Sequence, residues 1–198
     1  MNEPAKGDAV MTSSWNIPNL LSISRVFLAP LVMVFLTIRG FGTFEIRTSW
    51  LDVTANIGDV IAGIVFIVAS ITDAADGYFA RKRGMVTNLG KFIDPLADKI
   101  LVVAALISLV ELKRLPAWIV VIIVSREFIV SGMRMVAAAD GVVIHASKGG
   151  KAKTVSQIIA IAMMIFEIPF AMPVMWVAML LTVWSGMDYL IKGRDFFR

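Results

Sequence analysis

Four aspartates in two pairs are the residues of this chain best suited to chemistry. Asp73 and Asp76 follow the apolar run "VIAGIVFIVASIT", and Asp94 and Asp98 sit in "GKFIDPLADK", where the next apolar run begins. Residues three or four apart share a helix face, so each pair forms one acidic edge. Such carboxylates repel one another and lose hydration unless a positive charge joins them. The chain has no cysteine and one histidine, so oxygen ligands are what it can offer a metal. Mg²⁺ or Mn²⁺ fits that donor set, and Mg²⁺ usually completes its shell with water and substrate phosphate, which points to a phosphate ester as ligand. Gly77, Ala80 and Gly90 are small enough to let a bulky group approach the backbone, and Arg81 stands beside them as a phosphate partner. Simpler readings exist. Asp94 before Pro95 has the form of a helix N-cap with proline at the first helical position, and Asp73 and Asp76 could end a helix in water or pair with Arg81 or Lys82. Four acids in two helical registers flanking one basic stretch are harder to explain that way, because carboxylates at membrane depth are costly.

The elements that must position these acids follow from composition. Of 198 residues 58% are hydrophobic and 17% charged, against about 25% charged in an ordinary soluble domain. The expectation is an all-α polytopic membrane protein. Apolar runs of about 20 residues, the length that crosses a bilayer core, occur at Leu20 to Arg39, Ile57 to Phe79, Phe92 to Leu112, Pro116 to Val136, Thr154 to Pro169 and Phe170 to Ile191. Pro169, Pro173 and Glu167 interrupt the last two, which predicts a tight hairpin or one bent region there. No repeat or linker divides the chain. Residues 16–198 are expected to form a single transmembrane catalytic domain, a six-helix bundle, behind a disordered cytoplasmic tail over 1–15 with no cleavable signal.

Cations set the orientation. Arg81, Lys82, Arg83 and Lys91 follow the second run, Arg134, Lys148, Lys151 and Lys153 follow the fourth, and Lys192, Arg194 and Arg198 end the chain. The other side has Arg39, Arg47, Lys113 and Arg114. The positive-inside bias then puts both termini and both aspartate pairs on the cytoplasmic side of a cell inner membrane.

Written out, Asp73-x-x-Asp76-Gly77-x-x-Ala80-Arg81, eight residues, then Gly90-x-x-x-Asp94-x-x-x-Asp98 resembles, without departure, the signature of the CDP-alcohol phosphatidyltransferase family. The resemblance implies six transmembrane helices, a homodimer, and transfer of a phosphatidyl group from a CDP-activated lipid to an alcohol with release of CMP. It implies that Asp73, Asp76 and Asp94 hold divalent metal, with Asp98 as general base and also close to the metal. Asp73, Gly77, Ala80 and Arg81 would contact the CDP-lipid. The segments "NIPNLLSISRVFLAPLVMVFL", "SREFIVSGMR" and "ASKGGKAKT" resemble the bacterial branch of the family that uses CDP-diacylglycerol and glycerol 3-phosphate, a phospholipid-biosynthetic activity.

An acceptor that carries its own phosphate needs cations, and Arg126, Arg134, Lys148, Lys151 and Lys153 cluster around the fourth-to-fifth connection. The lysines could equally enforce topology or meet anionic lipid heads. Arg126 lies ten residues into an apolar run beside Glu127, too deep for a topology signal, so an interior ion pair or a ligand contact is expected. Arg25 could snorkel to the interface, or Arg25 and Asn19 could line the acceptor and nucleotide site; the second is preferred. His145 reads as a solvated loop residue, and Asp188 and Glu167 as interfacial or bundle-facing polar groups. Rivals within the family use inositol phosphate, or phosphatidylglycerol as in cardiolipin synthase. Outside it, a divalent-cation transporter would place acids near the midplane, and a non-catalytic membrane scaffold gives no reason for paired acids. Nothing points to nucleic acid.

Overall fold

In a computed structural model of the chain, residues 17–48, 51–83, 88–139 and 148–193 are described; over 73–83 and 88–98, among other segments, the backbone alone is described. Six α-helices follow in order: α1 (Ile17–Thr37), α2 (Ile57–Arg83), α3 (Asn88–Glu111), α4 (Ala117–Ala139), α5 (Lys148–Ile165) and α6 (Ala171–Gly193). The predicted tail over 1–15 and His145 lie outside the described residues.

Periodicity explains how each helix buries one stripe. On α1 the buried positions are Arg25, Ala29, Val32 and Leu36, recurring every three or four residues. This helix packs on α3 and α2, while α5 packs on α6 and α2, and α4 on α6 and α3. The shared core contains Phe66, Leu106, Leu109, Ile119, Ile123, Ile161, Ile165 and Met175, all fully buried. Small residues are buried among them, including Ala62, Ala69, Ala104, Ala105, Ala160 and Ala178, and short side chains let helix backbones approach. Buried hydroxyls are satisfied within their own helices: Ser108 Oγ donates to the Ala104 carbonyl (3.0 Å) and Thr182 Oγ1 to that of Ala178 (2.6 Å).

The outside of the bundle is also apolar. Phe27 on α1, Ile71 on α2, and Trp184 and Ile191 on α6 are 72%, 64%, 65% and 69% exposed, and every helix carries large apolar side chains outward. Among the described residues, one helix segment, Ala171–Ile191, is long and apolar enough to cross a bilayer; Ile23–Thr37, Ile57–Thr72 and Ala152–Ile165 are shorter apolar stretches.

One feature adds to the sequence expectation and another decides between its alternatives. An antiparallel hairpin, β1 (Thr43–Thr48) with β2 (Leu51–Asn56), stands between α1 and α2, paired from Thr43↔Asn56 to Thr48↔Leu51. The six helices make the fold all-α, as expected, and the hairpin is a local addition that the sequence reading did not include: "TFEIRT" and "LDVTAN" alternate apolar with polar residues, the period of a strand. The interruption near Pro169 is a tight connection between two separate helices, with Glu167 and Phe170 at φ of 54° and 67°.

The end of the bundle away from the aspartates is clasped by Arg114. Its Nη2 pairs with Asp59 at the start of α2 (2.6 Å) and with Glu167 in the α5–α6 turn, and its Nη1 donates to the Ile165 carbonyl (3.1 Å). One guanidinium thus joins the ends of α3 and α5 to the start of α2, and Glu167 has a cationic partner.

Candidate active site

The other end of the bundle collects the residues with chemical potential. Asp73, Asp76, Gly77, Ala80 and Arg81 all lie on the last turns of α2, whose helix runs to Arg83 and takes in the Arg81, Lys82 and Arg83 expected to follow it. Asp94 and Asp98 lie on the first turns of α3, which begins at Asn88. Asp94 is therefore inside the helix, and its reading as an N-cap is set aside. The backbone is helical through both pairs, as the spacing argument requires, and α2 and α3 touch. The side chains of these four aspartates, and of Asn19, Lys148 and Lys151, lie outside the described residues. Among the described residues no three potential metal ligands come together. The donor set itself fits a hard divalent cation: four carboxylates near the adjoining ends of two consecutive helices.

Directly on the bundle-interior side of these turns is a cavity of about 150 Å³. Five helices contribute polar groups to its wall: Arg25 from α1, Ser70 from α2, Lys99 from α3, Glu127 from α4, and Lys153, Thr154 and Gln157 from α5. Deeper walls are apolar, with Leu106, Ile123 and Ile158. Lys99 is the residue after Asp98, and Ser70 lies one helical turn before Asp73, so this cavity adjoins the acidic segments. Arg25, Lys153 and Gln157 are each 4% exposed. Burying a cation demands a partner, and Glu127 accepts from Lys153 Nζ while also lying 3.3 Å from Arg126 Nη1.

The cations expected near the acceptor take different places. Arg25 and Lys153 are brought together in the cavity wall. Arg126 turns toward α6, donating from Nε to the Thr182 carbonyl (3.1 Å) and from Nη2 to Ser185 Oγ (2.7 Å). Arg126 and Arg134 both lie over the Tyr189 ring, 5.8 and 4.8 Å from its centroid, and Arg134 also donates to the Tyr189 hydroxyl. The interior ion pair expected of Arg126 is formed with Glu127.

A second concavity, about 330 Å³, runs between α1 and α2. Ser24, Arg25 and Thr72 mark its polar end; Leu28, Ile64, Val65, Val68 and Ala69 form the rest. Arg25 and Ala69 are common to both spaces. Sequence reasoning missed Ser70, Lys99, Thr154 and Gln157. The signal for the last was available: Lys153 and Gln157 are four apart on a helix and share a face.

Comparison with known proteins identifies this architecture. The sequence model described as CDP-alcohol phosphatidyltransferase matches residues 15–184. The chain belongs to the CDP-alcohol phosphatidyltransferase family. It is 44% identical over 190 residues to a Bacillus subtilis protein named CDP-diacylglycerol–glycerol-3-phosphate 3-phosphatidyltransferase, covering 91% of this chain and 96% of the relative. A Mycobacterium tuberculosis relative, named probable phosphatidylglycerophosphate synthase, is 38% identical over 188 residues, covering 91% and 83%. A Mycoplasma pneumoniae relative bearing the same name as that of B. subtilis is 36% identical over 170 residues, covering 82% and 73%. In this phosphatidyltransferase the family's aspartate motif thus spans the α2 end and the α3 start, beside a cation-lined cavity.

Proposed function

We propose that this phosphatidyltransferase moves the phosphatidyl group of CDP-diacylglycerol to sn-glycerol 3-phosphate, giving phosphatidylglycerophosphate and CMP. The observation that carries the reading is the meeting of Arg25 and Lys153 in one cavity next to the aspartate-bearing turns, where an acceptor bearing its own phosphate finds two buried cations. The names of the relatives from B. subtilis and M. pneumoniae point to the same acceptor.

Asp73, Asp76, Asp94 and Asp98 are the residues that would hold Mg²⁺ or Mn²⁺, which when bound would offset charge on the phosphate under attack and on the departing CMP. Asp98 takes the proton of the acceptor's primary hydroxyl as that oxygen bonds to the phosphatidyl phosphorus and the bond to the CMP oxygen breaks. Gly77, Ala80, Arg81 and Asn19 contribute to the nucleotide side of the site. Lys148 and Lys151 share the start of α5 with Lys153 and add positive potential at the entrance. Arg126 and Arg134 act from α4, braced against α6, Arg126 by fixing the Glu127 carboxylate that receives Lys153.

The chain is read as a six-span inner-membrane protein with its site at the cytoplasmic face, residues 16–198 as one catalytic domain, and two copies as the working unit. Support comes from the apolar side chains on both the inside and the outside of the bundle, an arrangement suited to hydrocarbon rather than water. The α1–α2 concavity, polar at the end next to Asp73 and apolar beyond, suits an acyl chain of the lipid substrate.

An acceptor panel tests the proposal: glycerol 3-phosphate, inositol 1-phosphate, inositol, serine and phosphatidylglycerol, each with CDP-diacylglycerol in mixed micelles, scored by lipid product. Phosphatidylglycerophosphate as the main product is the expected result. Preference for inositol 1-phosphate or phosphatidylglycerol would move the chain to another activity of its family.

A further inference from the structure

Glycerol 3-phosphate presents three recognisable groups: the hydroxyl that reacts, the phosphate, and a middle hydroxyl that does neither. Cations serve the phosphate and carboxylates the reacting hydroxyl, which leaves the middle one without a reader. Gln157 is in the cavity wall, one helical turn deeper than Lys153 on the same face of α5. It is 4% exposed, and its Nε2 is buried with no hydrogen-bond partner among the described residues. A buried amide left this way is unfavourable, and native interiors rarely keep one without a use. The neighbouring carboxylate does not engage it, since Glu127 is bound to Arg126 and Lys153.

We propose that Gln157 determines acceptor specificity by hydrogen-bonding the non-reacting hydroxyl of the acceptor. The inference rests on the reading that glycerol 3-phosphate enters this cavity. A primary amide both donates and accepts, as a hydroxyl does, whereas a phosphate is matched by the cations above it. With the hydroxyl in place the amide gains its missing partner. With an acceptor lacking it, the amide stays buried and unpaired, and a site built around a hydroxyl rejects such analogues strongly.

The test compares sn-glycerol 3-phosphate with 3-hydroxypropyl phosphate, which lacks only the middle hydroxyl. Purified full-length protein is assayed in mixed micelles with CDP-diacylglycerol, and kcat/KM is measured for each acceptor. The wild type is expected to prefer glycerol 3-phosphate by roughly tenfold or more. Gln157→Met, close in length but unable to hydrogen-bond, is expected to lose most of that preference. Its kcat/KM with 3-hydroxypropyl phosphate should not fall, since no unpaired amide then faces that acceptor, and its KM for CDP-diacylglycerol should show no matching loss, an outcome that loosened packing would not produce. If the Met variant melts before assay, Gln157→Leu is measured in its place, and the wild-type ratio is decisive alone: equal use of the two acceptors overturns the inference. So does an unchanged ratio in the variant, or an effect confined to the KM for CDP-diacylglycerol. Absence of any turnover with glycerol 3-phosphate in the wild type is a different result, which removes the acceptor reading itself.

Discussion

Asp98 and Lys153 divide the proposed chemistry at the level of single side chains. If Asp98 is the general base, Asp98→Asn should lower kcat by roughly 10²-fold or more while metal binding, followed by Mn²⁺ titration, is largely kept. Normal turnover in that variant would assign the proton to another group. Lys153 is proposed for a different duty, to hold acceptor phosphate from a buried position braced by Glu127. Lys153→Met should raise the KM for glycerol 3-phosphate by about tenfold or more and leave the KM for CDP-diacylglycerol little changed, as steady-state kinetics on each substrate would reveal. At this scale the aspartate motif was legible as the family's signature, and its spacing as two helical stretches. The sequence was least legible where a role depends on which helix lies opposite. Arg126 and Lys153 look alike as cations near one connection, yet one turns to Ser185 on α6 and the other to the cavity.

Helices and their connections decide whether those side chains meet. Six apolar runs predicted six helices, and α1 to α6 match them because burial in this chain recurs at the helical period. The β1–β2 hairpin is hard to read from sequence because its strands are six residues each and no Asn-Gly or Asp-Gly pair lies between them. Ion pairs between distant connections were equally hidden: nothing local in Asp59, Arg114 or Glu167 says that three helix ends converge. The clasp can be tested. Arg114→Met leaves the Asp59 carboxylate, 5% exposed as a residue, without this partner, and should destabilise the bundle by about 3 kcal/mol, read as a lowered melting temperature in detergent. Gly58 makes a second test at the same end. A Cβ there would lie 2.3 Å from the Phe35 carbonyl oxygen, a backbone atom of α1 that cannot swing aside. Gly58→Ala should therefore cost about 1–3 kcal/mol in the same measurement. Gly186→Ala, whose Cβ would meet the flexible Arg126 side chain at 2.8 Å, should cost less.

For the molecule as a whole, the account requires a lipid-embedded bundle with its acidic end in the cytoplasm. The chain contains no cysteine, so single cysteines report topology without background. Lys192→Cys, near the end of α6, should react with a membrane-impermeant maleimide only after cells are opened, whereas Lys113→Cys, in the connection between α3 and α4, should react from outside. The reverse pattern would invert the bundle and place the aspartates away from cytoplasmic nucleotide. Composition made the apolar exterior legible, since 58% hydrophobic residues leave apolar side chains outside once the core is filled. Family membership supplied the reaction, and the cavity supplied a reason for the acceptor. The most direct measurement of the central claim is product stoichiometry in mixed micelles containing the purified chain, CDP-diacylglycerol and glycerol 3-phosphate, with Mg²⁺ or Mn²⁺ present or chelated. The account predicts CMP and phosphatidylglycerophosphate in equal amounts, both lost on chelation and restored by the cation. CMP release that persists undiminished without divalent cation, or lipid product that does not incorporate glycerol 3-phosphate, would contradict it.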